Sequence, residues 1–584
     1  MPLAAAATPS PGFAVLLALI LFIVASVWLG TLAQKAIDKK KFMEGYFLGN
    51  RGLGAWALAL TATVQSGGTF MGFPSLVFSF GWIVLLWIGA YMMVPLTGFA
   101  IVGKRLSHLS RQTNALTVPD LMRSRFDDWR VGLAASLLII CCLSFTMFAQ
   151  FKAGATIMKH AWPGSGMLAL TEDVKEEPEA ASSSSEPIAK KSEKWRIDPE
   201  YVKYVIGLIV FAVTVVGYTL IGGFLASVWT DLFQSVMMFI GVLLLVCLAV
   251  PMAGGLEQAT RFAMEHKSPD IAFGPGYSPA GRDFLPPSLA VSMFCLWVFS
   301  GFSSPASMVR VMAAHDTGVM RKSIFLLACY NCCIYIPLVM VCIAAHTLLP
   351  DLTLKQSDEV IPRMSLFVTQ GLPFGQFISG LILAAPFGAI MASVSCFVLV
   401  IASGLVEDIY VRLWNPKATE LQVRRATTIS MVGVGLFGVV VALRPPQYLQ
   451  ALVVLSSSLG AASMMTPVLM ACYWRRATAP GVLSAMAAGF VVHIGLYLAG
   501  ITQNWATAAE VKSSLQETVL SILGPDPLIG PVGLLRPYYV LGLDPVLWGM
   551  LASATAGILV SLVTSPPPRE LVSRLFDAKP QTSV

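Results

Sequence analysis

Runs of 18 to 32 mostly apolar residues recur along nearly the whole of this chain, each about long enough to cross a hydrocarbon core that needs about 20 helical residues. Thirteen are present, at roughly 13–33, 56–78, 80–102, 131–155, 203–221, 226–250, 286–309, 323–348, 372–403, 426–443, 448–473, 479–500 and 545–564. Lipid offers the backbone no water, so a spanning segment must be a helix or part of a closed barrel. Barrel strands would be short and alternating, and these runs are neither. The 584 residues are 56% hydrophobic and 12% charged, about half the charged share of an ordinary soluble protein. The chain reads as an all-α integral membrane protein of about 13 transmembrane helices.

The first run is preceded by MPLAAAATPSPG and followed by Lys35, Lys39, Lys40 and Lys41, with neither a basic leader nor a small-residue cleavage site. It reads as a retained helix with its amino end outside. Threading the spans from there places 23 Lys and Arg in inner loops and tails and 15 in outer ones, seven of the latter in one long insertion. That bias follows the positive-inside rule and puts the carboxyl end in the cytoplasm of a multi-pass cell-membrane protein, the inner membrane if the cell is Gram-negative. The net charge of +7 then reflects orientation rather than nucleic-acid binding. All ten cysteines fall in apolar spans and read as small packing residues. The stretch Thr171 to Glu200 carries a serine run, three prolines and mixed charge, and reads as a flexible external loop.

Two of the apolar runs are interrupted. One holds Gln-Ser-Gly-Gly-Thr followed by Gly-Phe-Pro within AWALALTATVQSGGTFMGFPSLVFSFG; the other holds Ser300-Gly301-Phe302-Ser303-Ser304-Pro305. A helix that breaks in mid-bilayer frees carbonyl and amide groups, tolerated only where buried in protein or lining a cavity. With the first span set aside, the breaks fall in the first and sixth of the remaining helices. That offset points to a five-plus-five inverted-repeat core, a LeuT-like arrangement, with the site at the midplane between the halves. The expected organisation is an extra helix over 1–40, a ten-helix transport core over 41–475 with an external insertion at 160–202, and a region over 476–584. That last region holds two additional helices, an external segment at 501–544 and a short tail.

Further segments carry a resemblance: YFLGNRGLGAWALALTATVQSGGTFMGFP, NALTVPDLMRSRF, GYTLIGGFLASVWTDLFQ, IPDLTLKQSDEVIP, LAAPFGAIMASVSCFVLVIASGLVEDIY and YWRRATAPGVLSAM. In order and spacing they resemble the sodium:solute symporter family over roughly 42–500, and within it most closely the sodium/pantothenate symporters. The resemblance implies a sodium ion held by the carbonyls of Ala62 and Gln65 at the first break, and by the Ala389 carbonyl and the Ser393 hydroxyl on the eighth core helix. The family carries two adjacent hydroxyl residues there; this chain has Ala392 beside Ser393, one ligand fewer.

A hard cation wants oxygens, and an unwound helix supplies them without burying a carboxylate. No acidic residue lies mid-span in the first, sixth or eighth core helix, where a proton-coupled carrier would need a titrating group. Asp231 and the Glu407–Asp408 pair fall near inner helix ends and read as structural. Candidate solute contacts are Ser66, Thr69 and Phe70 at the first break, Gln150 on the third core helix, and Phe302 at the second break. Trp297 aligns with an aromatic that proline-carrying relatives place against substrate. Lys152, the one charge well inside an apolar span, has two readings: snorkelling to the outer surface, or facing the cavity to attract an anion. Lone His493 reads as a core histidine.

The function expected is secondary active transport: sodium-coupled symport of a small organic solute, pantothenate or another carboxylate favoured, by alternating access. Sodium-independent or proton-coupled carriage, and a non-transporting solute sensor on the same fold, are the alternatives. A channel is disfavoured because repeated selectivity loops are missing, and an enzyme because no catalytic constellation recurs within the spans. The implied partners are a small-molecule solute and the lipid bilayer, with no nucleic acid.

Overall fold

The structure, a computed structural model, describes residues 11–34, 53–62, 66–94, 96–163, 199–274, 284–444, 449–508 and 535–577. These residues are helical throughout, apart from turns and one isolated bridge between Leu53 and Ala314. Twelve helices among them are long and apolar enough to cross a membrane. One of these, Gly68–Tyr91, takes in parts of the runs at 56–78 and 80–102, and residues 63–65 before it lie outside the described residues, so twelve is a count of described helices. A turn falls inside it at Gly81, whose φ of +76° and 2.1 Å approach of a built Cβ to the Ile271 carbonyl admit only glycine.

In chain order α1 is Phe13–Gln34 and α2 is Ala55–Ala62; a π-helical turn at Gly68–Gly72 leads into α3, Phe73–Phe80. After α4 (Val84–Tyr91) come α5 (Lys104–Thr113), α6 (Val118–Phe126) and the long α7 (Trp129–Ala161). Next, α8 runs from Pro199 to Met252 as two arms about Gly223, whose φ of 58° and ψ of −152° no side chain but glycine's accommodates easily. Then come α9 (Leu256–His266), α10 (Pro287–Ser303), α11 (Pro305–Met312), α12 (Thr317–Leu348), α13 (Val360–Val368) and α14 (Gly375–Ser403). The chain continues with α15 (Glu420–Ala442), α16 (Leu449–Tyr473), α17 (Ala479–Ala508), α18 (Pro545–Val563) and α19 (Arg569–Phe576).

Local chemistry sets the boundaries. Thr117, Asp316 and Thr419 each accept from a backbone N–H in the first turn of the helix they precede. Proline opens α10, α11 and α18, where its missing N–H costs nothing.

The scaffold centres on α14, buried along nearly its whole length and packed against α1, α7 and α8. Lipid is as apolar as leucine, so close backbone approach through small residues must hold membrane helices together. A Cβ on Gly380 would stand 2.6 Å from the Val15 carbonyl, and one on Gly241 2.5 Å from Ala385 Cβ. The first helix is thus fitted to α14 rather than loosely appended. Leu53 exchanges backbone hydrogen bonds with Ala313 and His315, tying the entry of α2 to the exit of α11.

Candidate cavity between two broken helices

Both predicted breaks are present. In the first, α2 is described as far as Ala62, residues 63–65 lie outside the described residues, Ser66 is non-helical and a wide turn follows at Gly68–Gly72. The freed amides there find side chains: Gly67 N–H donates to Gln150 Oε1 at 2.6 Å and Gly68 N–H to Ser66 Oγ at 3.1 Å. In the second, Ser304 stands extended between α10 and α11, with φ −73° and ψ 107°. Its neighbours Ser300, Ser303 and Ser307 bond to local backbone or to the Ser304 hydroxyl.

The two breaks meet at a cavity of about 150 Å³, whose lining includes Ser66, Thr69, Tyr91, Trp297, Gln450 and Ser456. None of its described lining residues carries a charge. An aromatic wall bounds it: Tyr91 meets Trp297 edge-on at 5.1 Å and Tyr335 at 5.4 Å, and Phe73 meets Tyr335 at 5.6 Å. The Tyr335 hydroxyl is hydrogen-bonded to Thr69 Oγ1 at 3.0 Å, so the wall is pinned to the first break. Ser304 to Ser307 also line the cavity, which puts the N-terminus of α11 at its edge.

Of the expected solute contacts, Ser66, Thr69 and Trp297 line this cavity. Phe70 is buried but outside the lining. Gln150 is also outside it and instead braces the first break through Gly67. Lys152 does not line the cavity; its Nζ lies 2.8 Å from Asp358 Oδ2, with both side chains 12% exposed. Phe302 belongs to α10, but its side chain lies outside the described residues, as does Gln65 altogether. On α14, which packs against the π-turn, Ser393 Oγ donates to the Ala389 carbonyl at 3.0 Å and both residues are fully buried. His493 donates to or accepts from Ser458 Oγ at 2.8 Å, in the core.

Sequence reasoning missed Tyr91, Tyr335, Gln450 and the Ser456–Ser457 pair. Each is a polar group inside an apolar run, which is signal enough to single them out, but which face they present depends on packing across distant helices.

The charges form clusters away from the cavity. On the Lys152 face, Glu359 lies within 3.4 Å of Lys159 and His160 and 2.7 Å from Arg363. Burial raises the Glu359 pKa, but His160, Lys159 and Arg363 outweigh it and hold it below the ordinary carboxylate value. At the other face, Arg412 pairs with Asp120 and Glu407, while Asp408 accepts from Thr117 and Ser136 hydroxyls. Asp231 is paired with Arg310, whose other nitrogen reaches Cys396 Sγ at 3.0 Å. Among the described residues no group of three or more His, Cys, Asp or Glu could hold a metal ion. Arg105, Arg125 and Arg475 stack on Phe576 at 4.5, 5.0 and 5.5 Å, holding α19 against α5, α6 and the end of α16.

A family model described as the sodium:solute symporter family matches residues 46–170 and 201–489. The chain is 27% identical over 487 residues to the sodium/pantothenate symporter of Escherichia coli (strain K12), covering 82% of this chain and 89% of that one. It is 23% identical over 565 residues to an osmoregulated proline transporter of Bacillus subtilis (strain 168), covering 95% of each chain. Among solved structures, a substrate-bound, outward-open sodium-coupled sialic acid symporter superposes with a TM-score of 0.65 at 18% identity, covering 96% of this chain and 99% of that one. That likeness concerns the fold.

Proposed function

Because the chain belongs to the sodium:solute symporter family, a family of multi-pass membrane transporters rather than enzymes, we propose that its own site couples sodium entry to the uptake of a small organic solute. A carboxylate of the pantothenate type is the favoured cargo. The single observation that carries the reading is the uncharged cavity where the two broken helices meet. An unwound helix offers oxygens to a hard cation and a half-helix N-terminus offers amides to an anion, with no buried charge needed for either.

In this reading sodium sits beside the first break, with the Ala389 carbonyl and Ser393 Oγ among its oxygens; their 3.0 Å separation suits two oxygens sharing one cation. The solute occupies the adjoining cavity. Its carboxylate lies at the N-terminus of α11, where Ser304 and Ser307 add hydroxyl donors, and not at Lys152. Residues 41–475 form the transport core, with 1–40 and 476–584 accessory to it. The arginine-rich face that holds α19 is cytoplasmic, as the positive-inside bias indicates, and the Lys152 face is external. Rocking of one helix set against the other then exposes the cavity to each side in turn.

Counterflow of radiolabelled pantothenate into proteoliposomes tests this. Uptake is expected with a sodium gradient and not with potassium plus an imposed proton gradient. Equal uptake in the two conditions would overturn sodium coupling, and no uptake in either would overturn the solute assignment.

A further inference from the structure

Beyond the end of α18 the chain turns through Pro566, Pro567 and Pro568 into α19, and an open cleft of about 420 Å³ lies in the corner. Its lining includes Arg475, Arg476, Arg569, Ser573 and Asp577, so three guanidiniums stand there against one carboxylate.

Two of the three are fixed in place. Arg475 donates to Asp577 Oδ1 at 2.7 Å, and its guanidinium lies 5.5 Å from the centre of the Phe576 ring. Arg476 donates through Nη2 to the Leu562 and Thr564 carbonyls at 3.3 and 2.9 Å, closing the end of α18. The third, Arg569, is exposed and has no acceptor among the described residues. Asp577 offsets one of the positive charges and leaves a surplus. A guanidinium presents N–H donors in a planar fork that matches two oxygens of a phosphate, and side chains already held lose little freedom on binding one.

The apolar side of the corner narrows the kind of phosphate. Leu559, Leu562 and Val563, near the end of α18, are 57%, 56% and 88% exposed, and the Leu562 carbonyl is one that Arg476 holds. Exposed apolar surface of a membrane span thus runs directly up to the arginines. A soluble anion would use the guanidiniums alone, whereas a phospholipid also covers the apolar turn beside them with its acyl chains.

We propose that this cleft binds the headgroup phosphate of an anionic phospholipid, with Arg475, Arg476 and Arg569 around the phosphate and the end of α18 against the acyl chains. The cleft shares no described lining residue with the cavity between the broken helices, so this inference does not depend on which solute the protein carries.

Thermal midpoints of purified full-length protein in neutral detergent, titrated with phosphatidylglycerol, phosphatidylcholine or inorganic phosphate, test it, since a ligand of the native state stabilises it by mass action. Phosphatidylglycerol is expected to raise the midpoint and the other two to leave it level. Arg569→Gln should shift the phosphatidylglycerol titration to about fivefold higher lipid, the usual contribution of one basic side chain at an anionic surface. Its lipid-free midpoint should stay unchanged, because the side chain has no partner to lose. Arg574→Gln removes the same charge from the same helix outside the cleft and should leave the titration where it is. Phosphatidylcholine acting as well as phosphatidylglycerol would overturn the proposal. So would equal weakening by Arg574→Gln and Arg569→Gln, which would mean diffuse attraction to a basic face, or no weakening by Arg569→Gln. Inorganic phosphate producing the full shift by itself would make the occupant a free anion and refute the lipid.

Discussion

Replacing Lys152 by methionine should destabilise the protein without selectively weakening an anionic solute. The pair it breaks is short, 2.8 Å between Lys152 Nζ and Asp358 Oδ2, and each side chain is only 12% exposed. Exposed ion pairs contribute about 0–1 kcal/mol, whereas removing one partner of a buried pair costs about 3–5 kcal/mol because the other charge is stranded. At this exposure the site lies nearer the buried limit, with some water reaching it, so about 2–3 kcal/mol is expected for Lys152→Met. Asp358→Asn should cost a comparable amount. The double variant should recover much of the loss, giving a coupling of about 1–3 kcal/mol in a double-mutant cycle. Thermal midpoints of the four proteins, taken at one scan rate, measure this, and added salt should change them little because the pair is shielded from screening. Uptake of pantothenate and of pantothenol by the same variants completes the test. If Lys152→Met left the midpoint untouched but raised the KM for pantothenate far more than for pantothenol, the lysine would be serving the cavity and the reasoning from the ion pair would fail.

At the proposed cation site, Ser393→Ala should lower the apparent sodium affinity by ten- to a hundredfold, the equivalent of about 1.5–3 kcal/mol for a contact to a charged group. Ala392→Ser, restoring the second hydroxyl, should tighten it; sodium titrations in which neither variant differs from wild type would move the ion elsewhere. Glu359 is held below its ordinary value, so its contribution to stability is present above the unfolded value of about 4.5 and lost as pH falls below it. Glu359→Gln should therefore flatten the acid limb of the midpoint-versus-pH curve, and an unchanged curve would show that other carboxylates control it. Replacing Thr171–Glu200 by a short Gly/Ser linker should leave solute affinity within a few-fold, whereas loss of folded protein would show that the segment docks on the membrane domain.

The breaks were legible in the sequence because their cause is local. Glycine pairs, a serine cluster and Pro305 cannot sustain regular winding wherever they are placed, so Ser304 and Gly68–Gly72 stand where composition puts them. Side-chain roles were not, because they depend on which helices face one another. Gln150 looked like a pocket residue by its position in an apolar run, yet its target is an amide 83 positions away. Lys152 looked unpartnered within its own span, and its partner lies 206 positions on. Gln450 stands near the start of an apolar run, and that it lines the cavity follows from how α16 packs against the first break.

The fit of α1 against α14 has a consequence for how the protein is made. Val15 and Ala18 are shaped to Gly380, and Phe22 meets the position of Gly388, more than 350 residues later in synthesis. Ser26 is fully buried in the finished molecule. Until α14 enters the bilayer, the face of α1 that will pack against it can only rest in lipid or against earlier helices such as α8. The packing of α1 is thus completed late, on α14 after α8, and a bulky residue at Gly380 would interrupt biogenesis after both α1 and α8 had been inserted.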